Sequence, residues 1–214
     1  METTKSALAS FVLAMVVYPE VLQKAQEEID RVVGVDRLPQ LEDRDQLPYI
    51  ECIVKEALRW SASIPLGIPH CLTEDDEHEG HTIPKGSTVL SNIWAMTRDE
   101  EIDPDASTFR PERFLNMDAK TAERTDPRAT VFGFGRRTCP GRYFADANIF
   151  MVVASMVATL NIAKARDSKG QVITPSVEFH SGMTRYPPEF TCNITPRSQR
   201  AEDMVSKMLT SLLD

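Results

Sequence analysis

Apolar positions near the start of the chain fall at helical spacing. Leu8, Phe11, Val12, Met15 and Val16 form one stripe. Tyr18-Pro19-Glu20 interrupts it, because proline cannot continue a helix from within but fits a first turn. The stripe resumes at Val21, Leu22, Ala25, Ile29 and Val32, opposite a polar face of Lys24, Gln26, Glu27, Glu28 and Asp30. The pattern predicts two helices over residues 3–33. Ile50, Ile53, Val54, Ala57 and Leu58 predict another over 49–60. The longest apolar run, 141–164, predicts a buried helix. Asn148, Ser155, Thr159 and Asn161 break it up, and it falls short of a membrane span.

Between these runs the texture changes. Pro65, Pro69 and Pro84 with Gly67, Gly80 and Gly86 punctuate short β-like runs over 64–93. Lys85-Gly86 reads as a hairpin turn ahead of a strand at 87–90. Residues 94–99 suggest a short helix. Residues 103–131 show little periodicity, and so long an irregular stretch is usually functional or packed around something. Residues 172–196 read as short strands with turns at Gly182 and Pro187-Pro188. The expected class is mainly α with small β-sheets, in one domain without repeats.

Composition narrows the function classes. The 214 residues carry a net charge of −8, so no nucleic-acid partner is expected. The four cysteines, Cys52, Cys71, Cys139 and Cys192, have no CxxC spacing. That argues against zinc knuckles and redox dithiols and suits a reducing compartment. Met1 is followed by Glu-Thr-Thr-Lys, which reads as no signal peptide.

The chemistry gathers at 132–151, FGFGRRTCPGRYFADANIFM. A free cysteine is commonly a small buried hydrophobe. Around Cys139, however, Gly133, Gly135 and Gly141 remove side chains, so a flat, bulky partner could approach the backbone. Pro140 fits the first position of a helix. The sulfur would then sit at a helix N-terminus, where free N–H groups favour thiolate. Arg136, Arg137 and Arg142 add positive charge. Such a thiolate serves as a nucleophile or as a metal ligand. A nucleophile wants a base, and none of His70, His78, His81 and His180 is obviously placed for it. A thiolate on a porphyrin iron needs no base, only glycines for the macrocycle and arginines for its propionates.

Phe132, Gly135, Arg137, Cys139 and Gly141 match FxxGxRxCxG, and here the chain resembles the cytochrome P-450 (heme-thiolate monooxygenase) superfamily. Three further motifs stand in the family's order. Glu56-Ala57-Leu58-Arg59 fits ExxR, Phe109 to Phe114 fits FxPERF, and Glu2-Thr3-Thr4 resembles the end of AGx(D/E)TT. A lone ExxR carries nothing; four motifs in register cover essentially the whole chain. The phrase GIPHCLTEDDEHEGHTIPKGS resembles fungal microsomal members.

The resemblance implies the C-terminal, proximal heme-side portion of that fold. Its parts would be the end of the distal helix (1–17), the ExxR helix (49–60), a β region (64–93), FxPERF and meander (103–131), the cysteine loop (132–141), the following helix (142–164) and a terminal β region (172–196). It implies heme b, with Cys139 as axial ligand to the iron and Arg137 and His70 as propionate partners. Phe132, Gly135 and Gly141 would complete the loop. Phe132 also reads as a plain core aromatic, and His70 as a satisfied loop histidine. Glu56, Arg59 and Arg113 resemble a structural triad. Glu2 and Thr3 resemble an acid–alcohol pair delivering protons to dioxygen; they read equally as a helix N-cap. Ile64, Leu66, Gly182 and Met183 fall where the family lines its substrate pocket, though strand packing would look the same.

The implied activity is insertion of one atom of dioxygen into a lipophilic substrate, with electrons from an NADPH-dependent cytochrome P-450 reductase. Outward-facing Arg136 or Arg142 could steer an acidic donor. Family members run to twice this length or more, so the membrane anchor and most substrate-recognition segments are expected outside this chain. Full-length relatives sit on the endoplasmic reticulum membrane; this chain, lacking a span, would be cytoplasmic. A heme-binding remnant without turnover and a non-catalytic helical interaction module are the alternatives.

Overall fold

In the computed structural model, residues 2–102 and 104–213 are described. The expected boundaries at Met1 and Asp103 lie outside them. Helix α1 (Glu2–Val17) turns sharply at Tyr18 into α2 (Pro19–Val32). The two are bent by 104°, as the proline at the first turn of α2 demands. Helix α3 (Pro48–Ser61) likewise opens on a proline and closes at Ala62 in a left-handed conformation, φ 39°.

The core lies where α1 and α3 meet α7 (Arg142–Thr159). Phe11, Leu13, Met15, Ile50, Ile53, Phe150 and Val153 are almost wholly buried there. Helix α2 is more amphipathic and buries Val21, Leu22, Ala25 and Ile29. Tyr18, Trp60, Phe109 and Phe179 form an aromatic cluster at one end, with Trp60 and Phe109 centroids 5.4 Å apart, edge to face.

Among the described residues the sheets are three two-stranded ladders. β1 (His70–Cys71) pairs antiparallel with β4 (Thr88–Val89), β2 (Asp76–His78) with β3 (His81–Ile83), and β5 (Leu160–Lys164) with β6 (Cys192–Pro196). The turn at Lys85-Gly86 exists, Ser87 N–H donating to Pro84 O at 3.1 Å. It joins strands of different ladders, however, because β4 returns to β1 and not to β3. The β2–β3 hairpin turns instead at Glu79-Gly80, both with positive φ.

Four further expectations are corrected. The helix expected over 142–164 ends at Thr159, and Leu160–Lys164 is strand. Ile162 there is buried between exposed Asn161 and Ala163, a period of two that pairing with β6 exploits. The short helix expected at 94–99 is α4 (Ile93–Met96), started by Asn92, whose side chain accepts from Ala95 N–H. Within 103–131 lie a 3-10 turn (Pro111–Phe114), α5 (Ala119–Thr125) and α6 (Arg128–Val131). Asp118 caps α5 through the N–H groups of Lys120 and Thr121, so local capping orders a stretch without apolar period. Within 172–196 the only regular strand among the described residues is β6; Val172 adds one bridge to Arg166. Helix α8 (Gln199–Leu213) follows it, and Arg197 ties this region to α2 through both oxygens of Asp30.

Candidate functional site

The cysteine loop is a tight reversal between α6 and α7. Cys139 N–H donates to Phe132 O at 2.7 Å, and Arg142 N–H to Cys139 O at 3.3 Å. The loop needs glycine at Gly133 and Gly135, whose φ values are +78° and +53°, a region other side chains rarely enter. Gly141 is different. Its backbone is ordinary, and a Cβ there would meet the Cys139 sulfur at 3.9 Å. A side chain there would make an ordinary contact with the sulfur and no clash. Pro140 stands two residues before the helix and not at its first position, because Gly141 is the N-cap of α7. The sulfur is still within a turn of the helix start.

A cavity of about 960 Å³ opens over this loop. Its walls bring together Thr3, Ile64, His70, Phe132, Arg137 and Cys139 from three separate stretches of the chain. Among the described residues the Arg137 guanidinium and the His70 imidazole make no hydrogen bond or ion pair to the protein. Glu2 does not line the cavity; it is exposed on the first turn of α1. Gly135 is outside the wall, as is Gly141. Leu66, Gly182 and Met183 line a smaller apolar cleft of about 230 Å³, which shares Gly67 and Pro69 with the larger one. The predicted pocket residues thus divide, Ile64 facing the cysteine cavity and the other three the cleft.

Behind the loop, Glu56 accepts from Arg59 Nε at 2.7 Å and Nη2 at 2.9 Å, from Arg113 Nε at 3.2 Å, and from Arg110 N–H at 2.8 Å. The two guanidiniums also donate to backbone: Arg59 to Thr97 O, Arg113 to Pro104 O and Asp105 O. One buried carboxylate therefore fixes the chain at 97, 104–105 and 110. Its charge is matched and its lone pairs are used, as burial requires.

Sequence reading missed a second charge cluster beside the loop. Arg128 donates to Glu51 at 2.7 Å and to Asp146 at 3.3 Å, and Arg44 reaches Asp146 at 2.6 Å and Glu51 at 2.8 Å. Asp126 holds Arg128 Nε at 2.9 Å and lies 3.4 Å from Lys55. Burial opposes the Arg128 charge, yet Asp126, Glu51 and Asp146 hold its pKa above the ordinary value. No local spacing rule pairs residues 18 and 77 apart, so nothing in the sequence pattern marked the cluster.

A sequence model of cytochrome P450 matches residues 1–191. Cytochrome P450 monooxygenase 176 of Postia placenta is 50% identical over 204 residues, 95% of this chain and 39% of its own length. Cytochrome P450 monooxygenase claR of Ampulloclitocybe clavipes is also 50% identical, over 95% of this chain and 38% of its own length. A zebrafish cytochrome P450 solved with abiraterone superposes with a TM-score of 0.81 at 30% identity, covering 92% of this chain and 45% of that one. This chain therefore spans about two fifths of the length of those fungal relatives. Among the described residues no single helix is long and apolar enough to cross a membrane. With these matches and a partial fold of the same kind, the chain belongs to the cytochrome P450 family, whose members are heme-thiolate enzymes using heme b.

Proposed function

We propose that this chain is the cysteine-bearing part of a monooxygenase that inserts one atom of dioxygen into a lipophilic substrate, with electrons from an NADPH-dependent reductase. The observation that carries the reading is the shared wall of Cys139, Arg137 and His70 around one cavity. These residues fit heme b. Cys139, in the cavity wall, offers a soft sulfur donor for the iron. Arg137 and His70 offer donors that suit carboxylate groups at the cavity rim. Phe132 and Ile149, also in the wall, supply apolar surface for a flat macrocycle.

Heme b, when bound, supplies the iron at which dioxygen is activated. The chain's own residues bind and orient. Cys139 would hold the iron from one side, held in turn by its N–H bond to Phe132 O. Thr3, on the first turn of α1, lines the same cavity, where its hydroxyl would relay a proton. Glu2, as its acidic partner, would act from the rim through water. Ile64 would bound the substrate near the reacting centre, and Leu66, Gly182 and Met183 would form its apolar entrance. Arg136, exposed in the loop and also lining the cavity, and Arg142, packed 4.3 Å from the Tyr143 ring, would offer basic groups to an acidic electron donor.

A second reading, heme binding without turnover, draws on one observation: Met183 at the cleft is 68% exposed. A wet site wastes reducing equivalents. The first test is a hemin titration of the chain, followed by reduction and carbon monoxide, with Cys139→Ser alongside. A strongly red-shifted Soret band that disappears in the serine variant is expected. Wild type and variant with the same unshifted band would reject the thiolate role. Substrate-dependent NADPH consumption with product formation then separates turnover from binding alone.

A further inference from the structure

Both ends of the cysteine loop are held by the same ionic cluster. On the upstream side, Arg128 opens α6, whose last residue Val131 and successor Phe132 line the cavity. On the downstream side, Asp146 follows Ala145, another wall residue, in the first turns of α7. The two side chains meet at 3.3 Å across 18 residues of sequence. Neither stands alone. Glu51 of α3 takes Arg128 at 2.7 Å, and Arg44 bridges Glu51 and Asp146 while lying 4.8 Å over the Phe150 ring. Arg44, Lys55 and Arg128 thus face Glu51, Asp126 and Asp146, three charges against three.

The side chains of Arg44, Asp126 and Asp146 are each below one fifth exposed, so the attraction is only weakly screened compared with a surface pair. Between the anchors the loop's own bonds are short-range: Arg137 N–H donates to Phe134 O at 3.2 Å, and Thr138 donates its N–H and hydroxyl to Gly135 O at 3.2 and 2.8 Å. Residues 134–137 are exposed, and two of the loop's glycines have positive φ. A loop of this kind is held by its ends.

We infer that Arg128 and Asp146 are positioning residues: they close the base of the Cys139 loop and set where its sulfur stands in the cavity. This rests in part on the heme reading above. The sulfur's position follows from the backbone, since Cys139 N–H is bonded to Phe132 O and Cys139 O accepts from Arg142. Letting the two ends separate would loosen both bonds together. Lysine at position 128 keeps the charge but cannot fork to Asp126, Glu51 and Asp146 at once, so it should restore the arrangement only in part.

The test uses the whole chain with Arg128→Gln, Asp146→Asn, the double variant and Arg128→Lys. Amide hydrogen exchange is read first without heme. Each neutralising variant should speed exchange of the Cys139 amide by about tenfold, as for loss of one coupled interaction. Amides of the β5–β6 ladder should be unchanged. The double variant, which again balances the charges, should be no faster than the faster single. Loop and ladder amides speeding up together would overturn the inference in favour of a general stability effect, and so would single effects that multiply in the double variant.

Hemin-loaded protein under carbon monoxide is read second. The red-shifted share of the Soret band should fall several-fold in Arg128→Gln and return in part in Arg128→Lys. An unchanged share would overturn the link from clamp to sulfur. If wild type itself gives no such band, the heme reading fails, and the exchange result decides the clamp by itself.

Discussion

Glu56 and Arg113, 57 residues apart, lie 3.1 Å from each other where neither side chain reaches appreciable solvent. The same carboxylate holds Arg59, one helical turn away, at 2.7 Å. Removing it leaves the Arg59 guanidinium buried without the carboxylate it pairs with and takes one partner from Arg113. Glu56→Ala should therefore cost about 3–5 kcal/mol, the range for breaking a buried pair from one side. Urea unfolding followed by circular dichroism would measure it. A loss below about 1 kcal/mol, the scale of a surface pair, would mean that the buried network is not what holds residues 104–113 in place.

Helix α3 begins without a cap of its own. Leu47 occupies its N-cap position and Pro48 its first turn. Glu28, from α2, supplies what is missing: its carboxylate accepts from Tyr49 N–H at 3.0 Å and Ile50 N–H at 3.0 Å. Glu28→Ala should cost about 1–3 kcal/mol through buried donors left unsatisfied. Hydrogen exchange at Tyr49 and Ile50 should accelerate more than exchange in α7. Equal acceleration everywhere would count against a local cap.

Acid should unfold the protein through a small set of carboxylates. A hydrogen bond from Arg37 holds Asp43 below its ordinary pKa. For Glu112 and Asp126 burial pushes upward, but Lys24 with Tyr49, and Arg128, overcome it, so both are also lowered. A depressed folded pKa stabilises above the unfolded value and loses that stability as pH falls through the folded value. The urea midpoint should be flat from neutral pH down to about 5 and drop below about 4. A midpoint that rises between those values would refute the assignment.

The four free thiols should separate by reactivity. Burial pushes the Cys52 pKa up to about 11, whereas Cys71 is exposed. At about pH 8 iodoacetamide should label exposed Cys71 and spare buried Cys52 in the folded chain, since the thiolate is the form that reacts. Because the Cys52 pKa is raised, its contribution to stability is present below the unfolded value and lost as pH climbs toward 11. Mass spectrometry of the labelled peptides checks the order; Cys52 labelled first would show that the α3 packing is looser than described. Loading with hemin should protect Cys139 in addition.

Amphipathic periodicity located α2 and α3, a helix-spaced apolar run broken at Pro19 located α1, and the glycine and arginine spacing around Cys139 marked the loop and the family it resembles. Those features are local: a helix reports its buried face every three or four residues, and a tight loop reports its backbone through glycine. Tertiary structure alone decided the rest. The 142–164 run could not divide itself into helix and strand, since Leu160–Lys164 is apolar enough for either and becomes β5 only by pairing with β6. Arg128 and Asp146 look like ordinary surface charges until the fold brings them to 3.3 Å. Thr3, Ile64, His70 and Cys139 share a cavity only because α1, α3 and α7 pack together. Periodicity encodes which face of an element is buried; it does not encode which distant element buries it, and that choice made the site.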